Sequence, residues 1–172
     1  NQDFNIVVCA AAPGGKRHAN RNPEKDLGTI ERLMFNLRKI KTDVFVLIST
    51  INVYPNPCDV DEDTPINSKE LMPYGLHRRI LEELVAHSFN SIIIRLPELF
   101  GEGLKKNVIY DLLNKNYQYI SHQDSTFQFY NLKNIWKDIE KAIENKVKII
   151  NFATEPVTVG EIQEKCFNTK SL

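Results

Sequence analysis

The stretch VFVLIST, residues 44–50, is apolar for five residues and ends in two hydroxyl side chains, Ser49 and Thr50. A continuous apolar run of this length is typical of a strand that is covered on both faces of a parallel sheet. Three further runs have the same character: IVVCAAA (6–12), IIIRL (92–96) and VKIINFA (147–153). The sequence therefore predicts four buried strands.

Amphipathic segments separate these runs, with apolar residues recurring every three or four positions, as on one face of a helix. They predict helices over residues 23–41, 74–88, 105–116 and 132–145, and Thr158 and Glu161 form a capping box that opens a last short helix. Segments 16–22 and 55–73 are polar or rich in proline and predict loops. Alternating strands and helices predict an α/β fold with a doubly wound, mostly parallel sheet. In such sheets, ligands bind beyond the carboxyl ends of the strands.

Composition excludes several classes of protein. The chain has 172 residues, enough for one domain, and its 22 basic and 22 acidic side chains balance. A neutral chain is not expected to bind nucleic acid or an anionic membrane surface. No apolar run approaches the ~20 residues of a membrane span. Three widely spaced cysteines and four scattered histidines predict neither disulfides nor a metal site, and a cytoplasmic location is expected.

Four motifs lie at or near the predicted strand ends. They are VVCAAA (7–12), LISTINVY (47–54), YGLHR (74–78) followed by Glu82, and IRLPELFGEG (94–103) followed by Asn107. In this order and at this spacing they resemble the extended short-chain dehydrogenase/reductase family, in its nucleotide-sugar epimerase/dehydratase group. The resemblance covers nearly the whole chain. It implies a Rossmann-type fold, NAD or NADP as cofactor, a nucleotide-sugar substrate and a homodimer.

The resemblance also implies roles for individual residues. Tyr74 matches the family's acid/base tyrosine, Thr50 its hydroxyl partner, and Arg78 the position of its lysine. The residues implied for cofactor binding are Ala11, Ala12, Ser49, Tyr74, Arg78 and Pro97. Those implied for substrate binding are Thr50, Asn52 and Asn107. The implied reaction is hydride transfer between a sugar carbon and the nicotinamide, with no metal.

Elementary chemistry supports the pair formed by Tyr74 and Arg78. Hydride transfer at a sugar carbon requires a proton to move on the attached oxygen. A tyrosine can move that proton near neutral pH if its pKa falls from ~10 by about 3 units, which is about 4 kcal/mol. A cation within ~4–6 Å supplies an interaction of that order. Residues four apart on a helix share one face, so Arg78 is placed to act on Tyr74.

The sequence departs from the family pattern at several positions. Arg78 replaces a lysine, Pro55 a glycine and Cys9 a histidine. Arginine stays charged but cannot relay a proton, so the exchange is not conservative. Ile51 and Asn52 stand where the dehydratase branch has an acidic pair, and we therefore reject a dehydratase. The resemblance nevertheless predicts that Arg78→Lys preserves or raises activity.

No Gly-x-Gly-x-x-Gly fingerprint occurs in the sequence. The resemblance places that fingerprint upstream of the first strand. We therefore expect residues 1–172 to be a single domain that comprises the C-terminal portion of a Rossmann-type domain and part of a substrate-binding region, truncated at its N-terminus. Such a chain is expected either to have the edge of its first strand covered by further residues or by a partner, or to self-associate there. It is also expected to bind NAD more weakly than a longer form.

Two alternatives to an epimerase or reductase remain open at this point. One is a family member that has lost its chemistry and serves as a binding or regulatory module, which Arg78 favours. The other is a fragment without cofactor binding.

Overall fold

The computed structural model describes residues 3–117 and 122–167. The chain divides into two compact units. The first comprises Asn1–Arg95 and Ile139–Asn151, and the second comprises Leu96–Asp138 and Phe152–Leu172. The expected single domain over residues 1–172 stays a prediction.

A four-stranded sheet forms the centre of the first unit. Numbered along the chain, its strands are β1 (Asp3–Cys9), β2 (Lys41–Thr50), β3 (Ser91–Leu96) and β7 (Ile149–Asn151). They lie in the order β1-β2-β3-β7, and β1 runs parallel to β2 as β3 does to β7. The predicted α/β fold with a parallel sheet is confirmed.

The helices of the first unit are α1 (Lys16–Arg21), α2 (Pro23–Leu37), α3 (Pro73–Ser88) and the end of α5 (Ile135–Glu144). Both α2 and α3 begin with a proline, which suits the first helical position because its missing N–H would have no partner there. These two helices confirm the predictions over 23–41 and 74–88, although α2 ends four residues early.

The core of the first unit joins α2 and α3 to the sheet. Its buried side chains are Cys9, Ile30, Leu37, Phe45, Leu47, Leu81, Val85 and Ile93. The ring of Phe45 stacks on that of Phe89 with 4.4 Å between centroids. Burial of each large apolar side chain contributes about 1.5–3 kcal/mol. This packing fixes where α3 begins relative to the end of β2.

The first strand corrects one prediction. The run IVVCAAA (6–12) was expected to be a strand covered on both faces, but β1 ends at Cys9 and only that residue is fully buried. Phe4, Ile6 and Val8 are 45%, 42% and 38% exposed. Two features of the fold explain the difference. β1 is an edge strand, and its alternate residues face away from the helices that cover Val7 and Cys9.

The segment after β1 corrects a second prediction. Residues 16–22 were expected to be a loop because they are polar, but they form α1. Ala19 is 1% exposed, and its amide bonds the carbonyl of Gly15 at 2.9 Å. A single buried alanine is enough to dock a short polar helix, and six residues are too few to show a helical period.

The second unit contains two pairs of short strands. β4 (Glu98–Phe100) pairs in parallel with β6 (Phe129–Asn131), and β5 (Thr126–Phe127) pairs antiparallel with β8 (Val157–Thr158). The sequence analysis predicted none of these strands, because two or three residues show no alternation. The second unit also contains α4 (Val108–Leu113), α6 (Val159–Phe167) and the start of α5. The apolar faces of α4 and α6 share a core of Val108, Leu112, Val159 and Ile162.

Helix ends in the second unit test the remaining predictions. The capping box is confirmed, since Thr158 Oγ1 accepts from the Glu161 amide at 3.1 Å and Glu161 Oε2 accepts from the Thr158 amide at 2.9 Å. The helix predicted over 105–116 is shorter at both ends, since Asn107 caps its start and α4 ends at Leu113. The helix predicted over 132–145 begins as a 3₁₀ turn, residues 132–134, before α5. Trp136 lies on the apolar stripe of the helix predicted over 132–145, a pattern that predicts a place in the core or at a subunit contact. It is 53% exposed, so it is not in the core.

Within residues 3–117 and 122–167, no helix has the length and apolar character that crossing a membrane requires.

Candidate functional site

Three of the predicted site residues lie at the carboxyl end of β2. Ser49 and Thr50 are its last residues, and Asn52 lies in the 3₁₀ turn that follows, Ile51–Val53. Thr50 Oγ1 accepts from the Asn52 amide at 3.2 Å and from Asn52 Nδ2 at 2.9 Å. Because the oxygen accepts both bonds, the hydroxyl hydrogen of Thr50 is available to an outside acceptor.

A cation that the sequence analysis did not select reaches the same turn. Lys16, at the start of α1, donates from Nζ to Asn52 Oδ1. Lys16 was expected in a loop with no assigned role, and nothing in the local sequence signals the contact. It places a positive charge two hydrogen bonds from Thr50.

The helix that carries Tyr74 begins against this turn. The Tyr74 amide donates to Asn20 Oδ1 at 2.9 Å, which ties the first turn of α3 to α1. Gly75 lies so close to the turn that a Cβ there would be 2.1 Å from the carbonyl oxygen of Asn52. No side chain fits in that gap. The structure therefore brings the start of the Tyr74 helix directly against the residues after Thr50, as the predicted site requires.

Arg78 lies one turn after Tyr74 and is 2% exposed. Its guanidinium carbon is 4.1 Å from the centroid of the Tyr74 ring. The same group forms a two-pronged ion pair with Asp26 of α2, through Nη1 to Oδ2 and through Nη2 to Oδ1 at 2.9 Å. The predicted proximity of Arg78 to Tyr74 is present, and the partner Asp26 is new.

Asp26 is buried with two cationic or donor groups around it. His77 Nδ1 lies 2.7 Å from its Oδ2, beside the Arg78 contact. Burial acts to raise the pKa of the Asp26 carboxyl, but the hydrogen bonds and charges of Arg78 and His77 outweigh it and lower the pKa below its usual value. The signal for Asp26 was present in the sequence: it stands four residues before Ile30, on the apolar stripe of α2, where an acid needs a partner.

This lowered pKa gives a testable pH dependence. Because Asp26 is more acidic in the folded protein than in the unfolded chain, its stabilising contribution is complete above pH ~4 and is lost as pH falls further. We expect Asp26→Asn to lower the free energy of unfolding by about 2 kcal/mol at pH 7, and by progressively less as the pH falls below ~4. Urea denaturation of both proteins at several pH values measures this. Glu31→Gln, on the exposed side of α2, should change stability by less than about 0.5 kcal/mol at either pH; a constant Asp26→Asn penalty would contradict the assignment.

A second buried network lies behind β2. Glu82 of α3 accepts from Ser49 Oγ at 2.6 Å, from Arg95 Nε at 3.1 Å and from Arg95 Nη2 at 2.8 Å. Arg95 Nη1 donates in turn to the Tyr54 hydroxyl at 2.6 Å. Burial tends to lower the pKa of Arg95, but Glu82 and Tyr54 raise it. An arginine at the end of an apolar strand is expected to have a structural partner, and Glu82 is that partner. Ser49 uses its hydroxyl hydrogen on Glu82.

The residues after β1 form an open surface of small side chains. Ala11 is exposed, and Ala12 is half-buried and packs against the core of the first unit, so the end of the run IVVCAAA is not the buried strand that was expected. Methyl groups leave the backbone open to a flat ligand, which fits the predicted approach of a cofactor ring. The cofactor contact itself stays a prediction.

The two remaining predicted residues belong to the second unit. Pro97 is buried directly after β3. Asn107 caps α4, accepting from the amides of Ile109 and Tyr110 at 3.1 and 3.2 Å, and its Nδ2 donates to the carbonyl of Leu99. The backbone of Asn107 has a positive φ of 86°. Asn107 thus has a full structural role within this unit, and its substrate role stays a prediction.

Solved structures share this fold. A UDP-glucuronic acid 4-epimerase from Bacillus cereus, in complex with UDP-glucuronic acid and NAD, is 21% identical with a TM-score of 0.73; the match covers 97% of this chain and 60% of that one. MoeE5, in complex with UDP-glucuronic acid and NAD, is 18% identical with a TM-score of 0.77, over 93% and 60% of the two chains. TunA, an NAD-dependent NDP-hexosamine 5,6-dehydratase involved in tunicamycin biosynthesis, is 16% identical with a TM-score of 0.75, over 93% and 58%. These likenesses show a Rossmann-like fold, and the chain spans about three fifths of the length of each.

No curated protein is a significant sequence match. A family model does match, the NAD-dependent epimerase/dehydratase family, over residues 1–132. That range includes the ends of β1 and β2, the Tyr74 helix and both buried ion pairs. Since it is well over half of the chain, this protein belongs to the NAD-dependent epimerase/dehydratase family.

Proposed function

We propose that this protein is an NAD- or NADP-dependent epimerase or reductase of nucleotide sugars, with Tyr74 as the group that moves the proton. One observation carries the proposal. The approach of Gly75 to the Asn52 carbonyl seats the first turn of α3 on the residues after Thr50. We therefore propose that the phenol of Tyr74 and the hydroxyl of Thr50 both bind the same oxygen of the substrate.

The residues of the first unit fit a dinucleotide in part. NAD, when bound, accepts or returns the hydride of the sugar carbon. Ala11 and Ala12 offer the open, small surface that a nicotinamide ring needs. Arg78 does not fit the ribose contact implied by the resemblance, because its guanidinium is buried against Asp26. We therefore propose Ala11, Ala12 and Tyr74 for the cofactor and assign no cofactor contact to Arg78.

The proposed proton transfer uses two side chains of this chain. Thr50 donates its hydroxyl hydrogen to the reacting sugar oxygen, since its own oxygen is held by Asn52. Tyr74 takes the proton of that oxygen on oxidation and returns it on reduction. The turn after Thr50 carries Ile51 and Asn52 and no carboxylate, so we do not propose an elimination.

The substrate is proposed to carry a nucleoside diphosphate, as the UDP-glucuronic acid bound in two of the related structures does. UDP-glucuronic acid is the first compound to test, because it is bound in two of the structures that share this fold. Lys16, next to Asn52, supplies a positive charge where such an anionic sugar would lie.

A second candidate function is a binding or regulatory module without turnover. The observation that favours it is the inward-facing Arg78, which leaves the family's lysine position without a side chain directed to solvent. An unchanged sugar in the presence of cofactor, together with measurable binding of nucleotide sugar, would identify this function.

Tyr74→Phe is expected to lower turnover at least about a hundredfold while the protein stays folded. Phenylalanine keeps the ring beneath Arg78 and removes only the transferable proton. Turnover of UDP-sugars with NAD or NADP is followed by nicotinamide absorbance and by NMR of the sugar product. The matched control is Tyr117→Phe, at a 40% exposed position of the second unit, which should keep the wild-type rate. A Tyr74→Phe protein as fast as the control would remove Tyr74 from the mechanism.

A further inference from the structure

The guanidinium of Arg78 donates its hydrogen bonds to other residues of this chain. Its Nη1 donates to Asp26 and, at 3.2 Å, to the Tyr74 carbonyl; its Nη2 donates to Asp26 at 2.9 Å and to the Pro13 carbonyl at 2.6 Å. The fifth donor, Nε, is buried and has no hydrogen-bond partner within residues 3–117 and 122–167. A guanidinium has five N–H groups, so none is left that an outside hydroxyl can reach.

Asp26 controls where this guanidinium lies. A forked carboxylate–guanidinium pair fixes the plane of the guanidinium as well as its position. The Asp26 side chain is itself held by α2 and by His77, and it is 6% exposed. The Pro13 carbonyl fixes the other edge of the fork. Arg78 is therefore a cation with one allowed position, and that position is 4.1 Å from the Tyr74 ring centroid.

We infer that Asp26 is a positioning residue for Tyr74: it locks Arg78 as a fixed cation on the face of the Tyr74 ring, and Arg78 acts on the tyrosine instead of on the cofactor. A cation at this distance stabilises the phenolate more than the phenol. The two hydrogen bonds between Arg78 and Asp26 hold the cation in place without a bound ligand. A lysine ammonium, on a flexible side chain, could not be oriented by a carboxylate in this way. This inference rests on the proposed function only for its catalytic meaning; the placement of the charge does not depend on any substrate.

Variants that conserve charge distinguish the effect of where the Arg78 cation lies from the effect of its charge alone. Arg78→Lys keeps the positive charge but has no fork, so it cannot hold Asp26, the Pro13 carbonyl and the ring face at once. Asp26→Glu keeps the negative charge but moves the carboxylate by one methylene. Both variants leave every other ionisable side chain of α1, α2 and α3 unchanged, including His77, which contacts Asp26.

The experiment is a spectroscopic titration of Tyr74 in the full chain, without cofactor or sugar. The absorbance of phenolate is recorded against pH for each protein with and without Tyr74→Phe, and the difference isolates Tyr74 from the other five tyrosines. We expect Arg78→Lys and Asp26→Glu each to lower the ionisation constant of Tyr74 roughly tenfold. For Arg78→Lys this is the opposite of what the resemblance alone predicts, because a lysine cannot make the forked contacts of Arg78. Arg79→Lys, one residue along the same helix and paired with Glu82 and Glu83 instead of Asp26, should leave it unchanged.

The outcomes are distinct. A Tyr74 ionisation constant that is the same in wild type and in Arg78→Lys would overturn the inference, because charge alone would then suffice. If Asp26→Glu does not fold, Arg78→Lys decides the matter, with circular dichroism to establish that it is folded. Failure of the proposed function shows separately, as absence of turnover with every nucleotide sugar, and leaves the titration result standing.

Discussion

Replacing Gly75 with alanine is expected to lower the free energy of unfolding by about 4 kcal/mol, near the upper end of single-residue effects. The added Cβ would lie 2.1 Å from the Asn52 carbonyl oxygen and 3.1 Å from its carbon, and both are backbone atoms. Backbone cannot rotate away as a side chain can. Relief requires α3 or the turn at Ile51–Val53 to move, which separates Tyr74 from Thr50. Urea denaturation and turnover should therefore both show the loss.

Gly28→Ala is the matched control. Gly28 lies inside α2, and an added Cβ there meets nothing within 4 Å. Alanine is favoured over glycine in a helix interior by about 1 kcal/mol. The same substitution should therefore stabilise the protein at position 28 and destabilise it at position 75. A Gly75→Ala protein as stable as wild type would show that α3 does not begin against the turn.

Glu82→Gln is expected to lower the free energy of unfolding by about 3 kcal/mol, because it leaves the charge of Arg95 buried without compensation. Glu82 and Arg95 have side chains 0% and 1% exposed, so water does not replace the lost carboxylate. Glutamine keeps only one acceptor oxygen, and its NH₂ group then faces either Ser49 and Arg95 Nε or Arg95 Nη2, which are donors themselves. Denaturation by urea at pH 7 measures the effect.

Glu83→Gln provides the comparison on the next residue of α3. Glu83 pairs with Arg79 at 3.1 Å, but its side chain is 56% exposed. Exposed pairs contribute about 0–1 kcal/mol, so the loss at position 83 should be several times smaller than at position 82. Equal losses at the two positions would contradict the assignment of Glu82 to a dry network.

Most of the first unit could be predicted from sequence. Its central strands are continuous apolar runs, and its long helices have apolar residues every three or four positions. The runs at 44–50 and 92–96 lie within β2 and β3, and the stripe of Ile30 and Leu37 marks α2. Sequence alone could not predict which faces of the sheet are covered by helices. Whether the second face of β1 is covered is decided by elements outside that strand, and a local apolar run carries no information about them.

The candidate site was partly predictable for the same reason. Tyr74 and Thr50 stand in motifs with fixed spacing, so their placement at neighbouring strand and helix ends was expected. Asp26 and Lys16 reach the site across 52 and 36 residues of sequence. Nothing local encodes those pairings. The helical spacing of Tyr74 and Arg78 predicted that they share a face, but not that the guanidinium would be held on the protein side.

The strand order has a consequence for the time course of synthesis. The four strands of the sheet leave the ribosome in the order in which they lie, and β7 follows last, after most of the second unit. Until then β3 is an open edge, and the Tyr54 hydroxyl lacks the Asn151 amide that lies 97 residues further along the chain. Contacts of such separation close slowly. Nascent chains that end between β3 and β7 should therefore be the lengths at which chaperones hold this protein most strongly, with release once Ile149–Asn151 emerges and pairs.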